Sequence, residues 1–178
     1  MRPLTPCARL DQLLLTRTVI LVQTSLASTY ILLQGSVMPI TVTAPHGVLT
    51  ASGRQQVLPM LSRAVIEISG ATGNRFFTPI VGGHVDIVEP SDVYAGGANR
   101  PLVVVKLEIP SIALGSVELR AAFIRAATDI VHRCAVPWHE PENTWVNIFN
   151  APDGGWGIAG RAYTGDDLIE AITAAAAE

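Results

Sequence analysis

PITVTAP, residues 39–45, is a run in which β-branched residues stand between two prolines. Val, Ile and Thr favour strands, and proline is tolerated at the first position of a strand, so the run predicts a β-strand. A run of the same type, PLVVVKLEIP, occupies residues 101–110, and its first proline follows that of the earlier run by 62 residues, from 39 to 101. The chain therefore contains an internal duplication in which each copy begins with a strand.

Each predicted strand is followed by an amphipathic helical pattern, in which apolar residues recur with i, i+3, i+4 spacing. The first stripe comprises Val57, Met60, Leu61, Ala64, Val65 and Ile68, and the second comprises Leu119, Ala122, Phe123, Ala126 and Ile130. We expect Thr50 or Ser52 to cap the first helix and Ser116 to cap the second. Pro59 lies inside the first pattern and removes a backbone donor there.

A second strand closes each copy, HVDIVEP at residues 84–90 and WVNIFNAP at residues 145–152. A strand, a helix and a strand in this order form a right-handed βαβ unit with parallel strands. The sequence thus predicts an α/β fold, in which two βαβ units form a four-stranded sheet with both helices on one face. Because LVVVKLEI is largely apolar, the other face is expected to be covered by further copies of the chain.

Glycine-rich segments follow the second strand of each copy. They are YAGG at residues 94–97 and GWGIAGRAYTG at residues 155–165. Glycine permits turns and close backbone approach, so both segments predict hairpin-like tails beside a pocket or a neighbouring chain.

The composition excludes several classes of protein. The 178 residues fit one domain, and 49% hydrophobic against 15% charged residues predicts a packed core. A net charge of −3 without a Lys/Arg block indicates neither a nucleic-acid partner nor a membrane partner. Cys7 and Cys134 stand alone, which predicts free thiols in a reducing compartment. His132 and Cys134 face different sides of the predicted helix, so we expect no metal site and no cofactor.

Residues 1–37 have a different character from the rest of the chain. They contain Arg2, Arg9 and Arg17, one acid, Asp11, and an apolar stretch that polar residues interrupt. A membrane span needs ~20 mostly apolar residues and is not expected here. A signal peptide, a poorly ordered extension, or a stretch upstream of the true start at Met38 are the alternatives. We therefore treat 1–37 as an N-terminal extension and 38–178 as the folded domain.

The Met-Pro pair before the first strand, the two βαβ units and NAPDGGWGIAGRAYT after the last strand resemble the tautomerase superfamily. This superfamily includes 4-oxalocrotonate tautomerase, macrophage migration inhibitory factor and the chloroacrylic acid dehalogenases. The resemblance covers residues 38 to about 170 and is strongest to the longer, fused type of cis-3-chloroacrylic acid dehalogenase. It implies a tautomerase-type fold with a short C-terminal helix, and assembly as a homotrimer.

In this family the first methionine is removed and the exposed proline acts as the base, which implies that role for Pro39. Proline alone has a secondary N-terminal amine, and an apolar pocket lowers the pKa of an amine because burial disfavours its charged form. A free α-amine titrates at about 7.7–8.0, so a modest depression leaves it neutral and basic at neutral pH. As an internal residue, Pro39 is an amide without a basic lone pair.

Parts of the family pattern are absent. The dehalogenases and malonate semialdehyde decarboxylase carry arginines after the third strand, whereas LEIPSIALGS, residues 107–116, has none. Asn150 stands where the cis-dehalogenase has a water-activating glutamate. Trp145 stands where the oxalocrotonate-type enzymes have an arginine. A substrate carboxylate must therefore be bound elsewhere, or the substrate is not a dicarboxylate.

The remaining candidates for substrate binding each have an alternative structural role. Trp156 occupies the family's aromatic position at the proline pocket, or packs at a subunit contact. Asn150 could donate to a carbonyl or enol oxygen, or could shape a turn. Arg75 and Arg161 could bind a carboxylate, or form surface ion pairs. The two other candidates are Tyr94, the first-half counterpart of Trp156, and His84, which could act in acid–base work or be an edge histidine.

The function expected from these residues is keto–enol tautomerisation of a small 2-oxo acid or related carbonyl compound, by a cytoplasmic homotrimer without a cofactor. A decarboxylase, hydratase or dehalogenase of the same superfamily is the first alternative. A trimer of the same fold without catalysis, in which Pro39 stays internal, is the second.

Overall fold

The computed structural model describes residues 38–176, and the predicted extension at residues 1–37 lies outside that range. The first unit consists of β1 (Met38–Pro45), α1 (Ala51–Ile68) and β2 (Val81–Val88). A small hairpin of β3 (Tyr94–Ala95) and β4 (Ala98–Asn99) follows it. The second unit consists of β5 (Val103–Pro110), α2 (Val117–Cys134) and β6 (Thr144–Ala151). A hairpin of β7 (Trp156–Ile158) and β8 (Arg161–Tyr163) and the helix α3 (Gly165–Ala174) complete the described chain.

The four long strands form one sheet in the order β2-β1-β5-β6. Pairing is parallel within each unit, β1 with β2 and β5 with β6, and antiparallel where β1 meets β5. The two βαβ units predicted from the duplication are confirmed. The start of β2 lies three residues before the predicted one, because Gly82 and Gly83 have no side chains to show the strand period.

One face of the sheet packs on the two helices. Its central side chains are completely buried: Ile40, Val42 and Ala44 of β1, and Val103, Val105, Leu107 and Ile109 of β5. Buried residues of the predicted stripes face them, Val57, Leu61 and Val65 from α1 and Phe123 and Ile130 from α2. Fully burying one such side chain stabilises the fold by about 1.5–3 kcal/mol.

The N-caps lie at predicted positions. The Thr50 hydroxyl accepts from the Gly53 N–H at 2.9 Å and donates to the Cys134 carbonyl at 3.1 Å, so it joins the start of α1 to the end of α2. The Ser116 hydroxyl accepts from the Leu119 N–H at 3.2 Å. Cys134 is a buried free thiol, and burial raises its pKa; the expectation for Cys7 concerns a residue outside the described range.

The outer face of the sheet differs from the continuous apolar surface that we expected. In β5 the outward positions are Val104, Lys106 and Glu108, all half-buried, because the strand alternates between buried and partly exposed residues. In β6 the outward aromatic side chains Trp145 and Phe149 are 51% and 52% exposed. Among residues 38–176, no helix is long and apolar enough to cross a bilayer.

Candidate functional site

Pro39 lies at the amino end of a central strand. It pairs with Gly82 of β2 on one side. On the other side the antiparallel ladder ends with Ile40 opposite Leu107, and the same register continued by one residue places Glu108 beside Pro39. A side chain at Gly83 would overlap the Ile40 carbonyl oxygen, so glycine permits the close approach of β2 to β1 beside Pro39. Pro39 and Glu108 share the outer face of the sheet.

A cleft of about 450 Å³ opens at this point. It is lined by Pro39, Glu108, Phe149, Asn150, Ala151, Gly155, Trp156 and Gly157. The carboxyl ends of β5 and β6 and the first residues of the β7–β8 hairpin thus meet the amino end of β1. Three of the residues predicted from the sequence, Pro39, Asn150 and Trp156, come together here.

Trp156 forms the buried wall of the cleft and is 9% exposed. Its ring packs edge-on against Tyr163 across the hairpin, with 5.5 Å between centroids. The hairpin turns tightly at Ala159 and Gly160, whose φ values of 51° and 80° fit a type I′ turn. The glycine-rich segment is therefore a hairpin, as predicted, and it presents Trp156 to the cleft.

Glu108 is the cleft residue that the sequence reasoning missed. Its carboxylate lies 3.1 Å from the Lys106 ammonium, and the two side chains are 44% and 41% exposed. The signal was present in VVVKLEIP, because period-two alternation puts Val103, Val105 and Leu107 on one face and Glu108 on the other.

Arg161 lies outside the cleft. Its guanidinium is 3.2 Å from the Asp167 carboxylate and 4.7 Å from the centre of the Tyr163 ring. Hydrogen bonds from the Thr164 backbone and hydroxyl hold the pKa of Asp167 below its usual range, and Arg161 adds to this effect. The ion pair is on the surface, which is the alternative role given for Arg161 above.

Arg75 borders a second, larger cavity of about 580 Å³ on the other side of Trp156. That cavity is lined by the segment after α1, the segment after β5 and one side of α3, and among its described lining residues only Arg75 is charged. The smaller cleft is the better candidate for chemistry because Pro39, Glu108 and Asn150 converge in it.

His84 and Tyr94 do not line the cleft in the described chain. His84 is opposite Thr41 on the outer face of β2, and its Nε2 lies 3.3 Å from the Asp86 carboxylate. Tyr94, 68% exposed, belongs to the hairpin beyond the carboxyl ends of β1 and β2, whereas Pro39 lies at their amino ends. Substrate binding by either residue stays a prediction.

Comparison with known proteins identifies the fold. No protein-family model and no curated protein matches the chain. A fused 4-OT described as a wild-type symmetric trimer is 22% identical, covering 72% of this chain and 97% of its own, with a TM-score of 0.59. Pt0534 inactivated by 2-oxo-3-pentynoate is 21% identical, with coverages of 72% and 97% and a TM-score of 0.57.

A third similar structure is malonate semialdehyde decarboxylase, solved as wild type, as a mutant with alanine for its first-position proline, and as an inactivated form. It is 16% identical, covers 69% of this chain and 91% of its own, and has a TM-score of 0.51. These likenesses establish the fold, and the tautomerase-type fold predicted from the sequence is confirmed.

Proposed function

We propose that this chain is a keto–enol tautomerase acting on a small 2-oxo acid or related carbonyl compound, with Pro39 as the general base once Met38 and the residues before it are removed. The observation that carries the proposal is the convergence of Pro39, Asn150 and Trp156 on one cleft. The decarboxylase named above shows the fold accompanying a different activity, and no cleft residue here favours that reaction.

The position of Pro39 suits an N-terminal residue. Proline cannot donate to a sheet, so inside a sheet it is accepted mainly at the first residue of a strand. Pro39 is the second residue of β1, a strand flanked on both sides. A chain starting at Pro39 would keep the rest of the ladder and place a secondary amine at the cleft.

Such an amine can move the proton that tautomerisation requires. As a neutral base it takes the proton from the carbon next to the carbonyl, or from the enol hydroxyl in the reverse direction, and returns it to the other atom. Two influences on the pKa of this amine oppose each other. Trp156 excludes water from the cleft and lowers the pKa, whereas the Glu108 carboxylate stabilises the ammonium form and raises the pKa.

Asn150 and the aromatic side chains complete the mechanism. The amide of Asn150 can donate a hydrogen bond to the enolate oxygen, which holds more negative charge in the transition state than in the ketone. Phe149 and Trp156 would contact the apolar part of the substrate. Neither group exchanges a proton with the substrate, so Pro39 alone carries the acid–base step.

We also propose that the chain assembles as a homotrimer in the cytoplasm. The fused 4-OT chains that resemble this one are described as symmetric or asymmetric trimers. The half-exposed Trp145 on the outer face of the sheet, away from the cleft lining, provides an apolar surface for such contacts.

Ketonisation of phenylenolpyruvate tests the assigned base. For protein that starts at Pro39, replacing Pro39 with Ala leaves a primary amine in a changed position and should lower kcat/KM by about 10²–10⁴-fold. Asn150→Ala should retain the base and lower kcat/KM by a smaller factor. Turnover that persists unchanged in Pro39→Ala would rule out the proline mechanism.

A further inference from the structure

We propose that the Pro39 cleft selects uncharged carbonyl substrates and disfavours those bearing a carboxylate. The inference rests on the proposed function, since it narrows the substrate of the same site from 2-oxo acids and related carbonyl compounds to the members of that class without a carboxylate. It is carried by Glu108, an acidic side chain placed directly beside Pro39 by the strand register.

The charges around the cleft favour this selection. Among the described residues that line it, Glu108 is the only charged one. Lys106, its partner at 3.1 Å, lies one pair further along the sheet, opposite Thr41, and does not line the cleft. A substrate in contact with Pro39 therefore lies closer to the Glu108 carboxylate than to the Lys106 ammonium.

The arginines that could reverse the charge are placed elsewhere in the described chain. Arg161 is in an ion pair with Asp167, on the β7–β8 hairpin that supports Trp156. Arg75 borders the larger cavity on the far side of Trp156. Neither lines the cleft of its own chain, so among the described residues of one chain Glu108 decides the sign of the charge at the cleft.

The walls of the cleft suit an apolar group attached to an uncharged carbonyl. Phe149 offers a half-exposed ring and Trp156 a buried one. An aryl or alkyl ketone, enol or ester places its apolar part on these rings and its oxygen near Asn150. A carboxylate in the same position loses its hydration and is repelled by Glu108, and both effects weaken binding.

A matched pair of substrates tests this selection in protein expressed from its full-length gene in its own host. The pair is phenylenolpyruvate and its methyl ester, which differ in one negative charge. We expect kcat/KM for the ester to exceed that for the acid by about tenfold, the size of a like-charge repulsion weakened by solvent and Lys106. In Glu108→Gln the ratio should fall close to one, mainly because the acid improves.

Asp86→Asn is the matched control. Asp86 is another exposed acid on the outer face of the sheet, opposite Thr43, four residues along β1 from Pro39. This variant removes the same charge away from the cleft, and the ester-to-acid ratio should stay within about twofold of wild type because exposed charges are screened over such distances. An equal change in both variants would overturn the inference, since net charge would then explain it.

A binding measurement separates this inference from the tautomerase assignment. Methyl cinnamate and cinnamate cannot tautomerise, and their dissociation constants can be followed by calorimetry. Tighter binding of the ester, lost in Glu108→Gln, supports the inference even if neither enol is turned over, in which case the proposed function alone fails. Preference for cinnamate, or no response to Glu108→Gln, overturns the inference.

Discussion

At the scale of single residues, the pairing of Pro39 with Glu108 is the most consequential feature of the cleft. Pro39, Asn150 and Trp156 could be selected from the sequence because each matches a position of the tautomerase pattern that the resemblance implies. The alternation in β5 indicates the face on which Glu108 lies, but not that it lies beside Pro39, because the antiparallel pairing of β1 with β5 is a long-range contact that neither segment specifies alone. The same long-range packing places Arg75 and Arg161 outside the cleft.

His139 provides a pH-dependent prediction at this scale. It is fully buried in the loop before β6, and its Nε2 lies 3.0 Å from the Thr144 hydroxyl. Burial lowers the pKa of His139 and His132 lowers it further, while Glu140 and the Pro101 carbonyl oppose the shift. The unfolded chain therefore binds a proton near pH 6.5 that the folded chain binds only at lower pH.

Stability due to His139 is complete above about pH 6.5 and is lost as the pH falls through the folded-state pKa, by at most about 1.4 kcal/mol per pH unit. His139→Gln should have a lower free energy of unfolding at pH 7 and a shallower decline between pH 7 and pH 5, measured by urea denaturation. His46→Gln, at an exposed turn residue, should keep the wild-type slope. A wild-type slope in His139→Gln as well would contradict this assignment.

At the scale of elements, both βαβ units follow from local patterns. A few neighbouring residues are enough to predict the strands that begin with proline, the apolar helical stripes and the caps at Thr50 and Ser116. The strand ends were less predictable, because Gly82 and Gly83 hide the start of β2. The alternation in β5 indicates a partly polar outer face, whereas the overall apolar composition of the strand predicted an apolar one.

The β7–β8 turn yields a prediction at this scale. Ala159 adopts a φ of 51°, where the β3–β4 turn has Gly96 at 60°. A left-handed conformation costs a non-glycine residue about 1–2 kcal/mol, and the extra freedom of glycine in the unfolded chain offsets part of that. Ala159→Gly should raise the free energy of unfolding by about 0.5–1 kcal/mol in denaturant titration.

Ala162→Gly in β8 is the control for that turn. Ala162 is extended and exposed, so glycine there should lower stability by a similar amount. A loss of stability in both variants would show that the Ala159 conformation is not strained.

At the scale of the whole molecule, assembly was inferred from one face of the sheet. We expect light scattering to give the mass of three chains, because a trimer would cover the exposed ring of Trp145. Trp145→Lys places a charge in that contact and should shift the mass towards one chain. Ile124→Lys, on a half-exposed position of α2 on the opposite side of the sheet, should leave the trimer intact. A monomeric wild type would contradict the proposed assembly.

The covalent state of Pro39 determines whether the cleft is an active site. An N-terminal Pro39 has an amine nitrogen that can act as a base, whereas the nitrogen of an internal Pro39 belongs to an amide and cannot. The intact mass of the protein purified from its own host distinguishes the two directly. We expect the mass of a chain that begins at Pro39; the mass of a chain that begins at residue 1 would rule out Pro39 as the base.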